Sequence, residues 1–237
     1  TTANYNTAIG REAMRDNTTG ANNTALGVNS LAANTTGYDN VAVGYQAVKS
    51  NTTGISNAAV GLGALQANTT ASQSAAFGHQ ALYTSTTGDS NTATGYRALF
   101  GNTSGAQNTA LGHSALYANT TGTQNTAVGD DTLKYNTTGQ HNIAIGHSAG
   151  AQATNLVTGY GCILLGNYCH STTTDASYST GIGYNIAAAA GYTTIGNATS
   201  DIRAAHGNIQ WATVSDERYK KDITTSTAGL SVINALR

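Results

Sequence analysis

Apolar and polar positions along this chain recur with a period of seventeen residues. Taking "NTAIGREAMRDNTTGAN", residues 6–22, as the template, glycine returns at Gly10, Gly27, Gly44, Gly61, Gly78, Gly95, Gly112, Gly129 and Gly146. Two residues before each stands an alanine: Ala8, Ala25, Ala42, Ala59, Ala76, Ala93, Ala110, Ala127 and Ala144. The residue between them is apolar in eight of nine copies (Ile9, Leu26, Val43, Val60, Phe77, Leu111, Val128, Ile145), with Thr94 the exception. A second apolar position follows at Met14, Leu31, Val48, Leu65, Leu82, Leu99, Leu116 and Leu133. An Asn-Thr-Thr-Gly group closes the unit at 17–20, 34–37, 51–54, 119–122 and 136–139.

Asn and Gly tolerate positive φ cheaply, so each such group reads as a turn. Every unit is predicted to hold two short strand-like segments and two turns. Helix is a poor alternative where glycine and a turn interrupt every seventeen residues. One unit cannot bury its own apolar side, but stacked units can. The predicted fold is therefore all-β: a parallel β-solenoid or β-roll of 17-residue repeats. At ~4.8 Å per rung, nine rungs make a rod of about 43 Å. Asn and Thr should stack into ladders along its corners.

The Ile/Leu/Val positions are expected to line up as a continuous core. Because neighbouring strand residues face opposite ways, Ala8 and its equivalents then face outward. Alanine at nine successive rungs suggests close approach of another surface, as in oligomerisation about a long axis; a tight turn is the alternative reading.

After residue 150 the period slips: Gly166 arrives 20 residues after Gly146, Gly183 comes 17 later, and Gly196 a further 13. Aromatics gather there, at Tyr160, Tyr168, Tyr178, Tyr184, Tyr192 and Trp211. They suit either exposed rings that stack on sugars or large side chains that stabilise the end of a solenoid.

Composition narrows the picture. Proline is absent, where average usage would give roughly twelve, as suits a backbone paired in sheet. Only 9% of residues are charged and the net charge is −1, which gives no reason to expect nucleic acid or an anionic membrane as partner. No apolar run approaches the ~18 residues of a membrane span. The start at Thr1 suggests a fragment or processed piece. Cys162 and Cys169 fit neither a redox pair nor a zinc site; a disulfide or two ordinary small residues both remain open.

The "N-T-A-I-G-x-x-A-L" pattern resembles the head repeats of trimeric autotransporter adhesins, which form trimeric left-handed parallel β-rolls. It also resembles repeats in the shafts of phage tail fibres. The resemblance covers residues 6–158, although the adhesin repeats are shorter and lack the Asn-Thr-Thr-Gly corner. It implies a homotrimeric fibre.

A different signal stands near the end. Of the 21 charged residues, seven lie in the last 22 positions: Asp216, Glu217, Arg218, Lys220, Lys221, Asp222 and Arg237. "SDERYKKDI" followed by "TAGLSVINALR", residues 215–237, closely resembles the start of the C-terminal intramolecular chaperone domain of phage endosialidases, tail spikes and tail fibres. In that family the domain assembles three chains, helps the β-fibre fold, and cuts itself off. The resemblance assigns the nucleophile to Ser215, the base to Lys220 and the scissile bond to Val214–Ser215. A serine hydroxyl needs a base to become a nucleophile, and lysine serves as one only when desolvation lowers its pKa. Oxyanion donors for the Val214 carbonyl are not identifiable. The plainer reading makes Ser215 the N-cap of a short helix, with Asp216 and Glu217 in its first turn. With the chaperone cut short, the pair is expected to be inactive as a protease.

Other sites are weaker. His79, His113 and His147 share the slot after the glycine and would ring a trimer axis as metal ligands. Arg11, Val28, Tyr45, Leu62, Tyr96 and Asp130 in the same slot argue instead for a tolerant surface turn. No metal and no cofactor are expected. The Asn-Thr-Thr triplets match glycosylation sequons, but their fixed corner positions explain them as turns. An ice-binding solenoid needs outward threonines at i and i+2, whereas the corner threonines are adjacent.

The sequence thus predicts a bacteriophage tail fibre, structural and receptor-binding, located on the virion tail outside the cell. A bacterial surface adhesin is the alternative. The repeat shaft occupies 1–158, an irregular β region or distal knob 159–214, and the start of a helical chaperone piece 215–237. Expected partners are two further copies of the chain, a host-surface receptor such as a polysaccharide, and other virion tail proteins, without nucleic acid or membrane insertion.

Overall fold

The computed structural model describes residues 3–151, 156–198, 200–207 and 212–213. Nine three-residue strands repeat at the sequence period: β1 (Thr7–Ile9), β2 (Thr24–Leu26), β3 (Val41–Val43), β4 (Ala58–Val60), β5 (Ala75–Phe77), β6 (Thr92–Thr94), β7 (Thr109–Leu111), β8 (Thr126–Val128) and β9 (Ile143–Ile145). Each pairs in parallel with the next, and equivalent residues face one another: Ala8 opposite Ala25, Ala25 opposite Ala42, and so on to Ala127 opposite Ala144. This is a parallel β-solenoid, and among the described residues it contains no helix.

The altered spacings leave the register intact. β10 (Ile163–Leu165) pairs with β9, Ile163 opposite Ile143, so the longer rung spends its additional residues outside the strand. β12 (Thr180–Tyr184) follows in parallel, and after a shorter rung so does β14 (Tyr192–Asn197). Between them β11 (His170–Ser171) pairs with β13 (Ala187–Ala188) as a second small sheet. The stack then ends in antiparallel pairing: β15 (Ser200–Ala205) returns along β14, and β16 (Ala212–Thr213) along β15. An open strand edge is a template for further pairing, and this return occupies the edge of β14.

Only one segment per unit is a strand. The second, around Leu31 and its equivalents, is a run of turns, because Asn29 and Leu31 both take positive φ (59° and 48°) and the same pair recurs at later rungs. Its backbone still bonds between rungs, as in Leu31 N–H to Ala47 C=O at 3.1 Å and Leu65 N–H to Ala81 C=O at 3.0 Å. The glycine after each strand sits at φ 126–143° from Gly10 to Gly146, a region closed to most L-residues, and there the chain leaves the sheet.

The core reverses one expectation. Residues alternate across the strand as expected, but the face that turns inward is the alanine face. Ala25, Ala42, Ala59, Ala76, Ala93, Ala110, Ala127 and Ala144 are fully buried, in one cluster with Leu31, Val48, Leu65, Leu82, Leu99, Leu116 and Leu133. Ile9, Leu26, Val60, Phe77, Leu111 and Ile145, expected inside, are exposed. The physical reason is the thinness of a seventeen-residue coil. A leucine from the turn wall fills the inner space, which leaves the strand wall room for no more than a methyl group.

Two asparagine columns complete the interior. At the corner, Asn34 Nδ2 donates to Asn17 Oδ1, Asn51 to Asn34 and Asn68 to Asn51, at 2.7–2.8 Å. Ahead of the strands, Asn40 Nδ2 donates to Asn23 Oδ1 at 3.2 Å and Asn57 Nδ2 to Asn40 Oδ1 at 3.1 Å. The predicted Asn ladders therefore exist, but they are buried. Beside them the corner threonines run a third ladder: Thr35 Oγ1 donates to Thr52 C=O at 2.9 Å and Thr52 Oγ1 to Thr69 C=O at 3.0 Å.

Candidate functional site

The rungs position side chains in columns, so the candidate surfaces are stripes along the coil rather than clefts. The broadest is the outer face of the sheet. On each three-residue strand the middle residue points inward and its neighbours outward. One outward column is Ile9, Leu26, Val43, Val60, Phe77, Thr94, Leu111, Val128 and Ile145. The other is Thr7, Thr24, Val41, Ala58, Ala75, Thr92, Thr109, Thr126 and Ile143. Ile163 and Ile182 continue the stripe along β10 and β12. Parallel sheets are normally covered on both faces, and here this chain covers one.

Threonine chemistry is spent mostly on structure. The corner hydroxyls bond to the next rung, and among β1–β9 only β6 sets threonines at i and i+2 on the outer face (Thr92, Thr94). The sequon asparagines Asn34, Asn51, Asn119 and Asn136 are fully buried with their amides in the ladder, in keeping with the turn reading.

Aromatic columns flank the turns. Tyr83, Phe100 and Tyr117 stack at 5.1–5.2 Å with nearly parallel planes, and Arg97 lies over Tyr96 and Phe100. Further along, Tyr160 meets Tyr178 edge-on at 5.5 Å and Tyr168 meets Tyr184 at 5.9 Å. Tyr160, Tyr178, Tyr184 and Tyr192 are exposed, while Leu156, Leu164 and Ile186 fill the interior there. The rings therefore line the surface rather than plug the end; Trp211 lies outside the described residues.

The slot after the glycine holds more than a tolerant turn. His79 stacks on Tyr96 and Tyr96 on His113, each at 5.3 Å. The next residue in the column is Asp130, whose Oδ1 lies 2.9 Å from His113 Nδ1 and whose Oδ2 lies 3.5 Å from His147 Nε2. Asp131, on the same turn, is 3.8 Å from His113 Nδ1 through its Oδ1. The clue was available in sequence as an aspartate between two histidines at the same slot, and the mixture of residue types in that slot concealed it.

Cys162 and Cys169 are buried free thiols. Cys162 occupies the asparagine column: its N–H donates to Asn142 Oδ1 at 2.9 Å and its thiol to Ala176 C=O at 3.1 Å. Cys169 replaces the alanine before Leu133's column, and burial pushes its thiol up to about 12. Both serve as small interior residues.

Val214, Ser215 and Lys220 lie outside the described residues, as does the helical piece expected at 215–237. Among the described residues no helix is long and apolar enough to cross a membrane. Comparison with protein-family models, with curated proteins and with solved structures finds no match to this chain.

Proposed function

We propose that this chain is the shaft of a homotrimeric extracellular fibre of the bacteriophage tail kind, whose three chains mate through the outer faces of their sheets. The observation that carries this reading is the apolar stripe from Ile9 to Ile182, exposed on most rungs of a single chain and interrupted at β6 by Thr92 and Thr94. Contiguous exposed apolar surface of that extent marks an interaction site on a soluble protein. A stripe that repeats with the coil is matched most simply by the same stripe on another copy. The alanine column is buried, so the mating surface is this stripe instead.

The resemblance of residues 215–237 to a self-cleaving trimeric chaperone supports the viral form over a surface adhesin. It also answers a physical need. Nearly identical rungs can pair one step out of register at little cost, and parallel sheet folds slowly. A trimerising terminus aligns three chains before their ladders close. On this reading the fibre sits on the virion tail, joins other tail proteins, and meets a host-surface receptor. A polysaccharide suits the exposed rings of Tyr178 and Tyr184.

Intact mass of the full-length protein beside its Ser215→Ala variant tests the viral form. Two fragments separating at Val214–Ser215, absent from the variant, are expected. A single uncleaved chain in both samples would favour the adhesin instead.

A further inference from the structure

We propose that His113, Asp130 and Asp131, with His147 in reach on the following rung, form a binding site for a divalent transition-metal cation of the zinc class. Each chain would carry its own site, whatever its oligomeric state.

The rung geometry brings the ligands together. Asp131 N–H donates to His113 C=O at 2.9 Å, and Ser148 N–H to Asp130 C=O at 2.8 Å, which locks the three turns in step. One donor atom from each of His113, Asp130 and Asp131 lies within 4.8 Å of the others. Zinc bonds of about 2.0–2.2 Å to nitrogen and oxygen place tetrahedral ligand atoms roughly 3.4 Å apart. The 2.9 Å and 3.8 Å separations from His113 Nδ1 bracket that value.

A second observation points to a ligand. Asp131 Oδ1 is shielded from solvent and accepts no hydrogen bond, an unfavourable arrangement for a polar atom. Its companion Oδ2 is held at 3.0 Å by Lys134 Nζ. The lysine therefore fixes the carboxylate with its free oxygen toward His113, as outer partners do at metal sites. The rings are held as well: Tyr96 stacks flat on His113, and Tyr168 and His147 meet at right angles with centroids 5.0 Å apart.

Ligand chemistry selects the ion. Two imidazoles and two carboxylates suit zinc, nickel or copper, whereas calcium and magnesium prefer oxygen alone. His79 lacks such a site because its neighbour toward His113 is Tyr96. The bound cation would tie three rungs together outside the core. The competing account is a metal-free ion pair between protonated His113 and Asp130.

Isothermal titration of zinc chloride into the full, untagged chain decides between them, beside Asp130→Asn, His113→Gln and His79→Gln. One zinc per chain is expected, with affinity at least tenfold weaker in Asp130→Asn and His113→Gln and unchanged in His79→Gln. Equal unfolding temperatures for all four proteins in EDTA would confirm that the loss is one of binding. Absence of stoichiometric zinc uptake by the wild type, or wild-type affinity in Asp130→Asn, would overturn the site.

Discussion

Asn68 Oδ1 lies buried beneath Ser85 and accepts no hydrogen bond. The relationship marks a break in the corner ladder. At the rungs before it an asparagine amide donates to the asparagine below, but Ser85 is too short to reach down, and Asn102 Nδ2 reaches its hydroxyl only at 3.4 Å. Asn136 Oδ1 is orphaned in the same way, where the column passes to Leu156.

Ser85→Asn should therefore stabilise the coil. It supplies a donor for Asn68 and a better acceptor for Asn102, worth about 1 kcal/mol for each net hydrogen bond. A higher urea midpoint, followed by circular dichroism, is the expected result.

The strand-side column should respond in the opposite direction. Asn57 Nδ2 donates to Ala71 C=O, and Asn57 Oδ1 accepts from Ser74 N–H at 3.0 Å. Asn57→Ala strands both groups in the interior and should cost about 2–4 kcal/mol. Asn57→Ser should cost less, because Ser74 already offers its hydroxyl to Asn91 N–H at 3.3 Å in this column. The two denaturation midpoints should rank in that order.

Glycines separate in a similar way. Gly78 has φ +141°, and a Cβ there would run into the Gly95 carbonyl oxygen. Gly191 has φ +74° with open space around it. Gly191→Ala should cost about 1 kcal/mol through backbone strain alone, whereas Gly78→Ala should abolish soluble folded protein. Expression and thermal unfolding of the two variants check the contrast.

The thiols give a pH test. Burial raises the Cys169 thiol from 9.0 to about 12 in the folded chain. Below pH 9 the thiol is protonated in both folded and unfolded chains, and its contribution to stability is fully present. As pH rises from about 9 towards 12, the unfolded chain ionises first and that contribution is lost. Thiol reagents at pH 8 should find neither cysteine in the native protein and both after denaturation, and the unfolding midpoint should fall between pH 9 and 12.

The strand before each glycine, the parallel stacking and the Asn and Thr ladders were legible in the sequence, because each depends on a residue type repeating at one spacing; the second strand expected around Leu31 is a run of turns. Which face of the strand turns inward was not. Ala25 and Leu26 alternate in either case, and hydrophobicity alone favours burying the leucine. The choice is settled by the width of the coil: Leu31, entering from the turn wall, leaves room opposite for a methyl group only. The His113–Asp130–His147 column was hidden for another reason. Its members are adjacent in space but seventeen residues apart, and they differ from one another, so repetition could not reveal them.

The outer stripe is the centre of the account, and sedimentation velocity of the full chain beside a Val60→Lys, Leu111→Lys double variant tests it most directly. Both residues point away from the core, so circular dichroism should be unchanged. The wild type should sediment as an elongated trimer and the variant as a monomer. A wild-type chain that runs as a monomer at micromolar concentration would contradict the proposal that these sheet faces are built to meet one another.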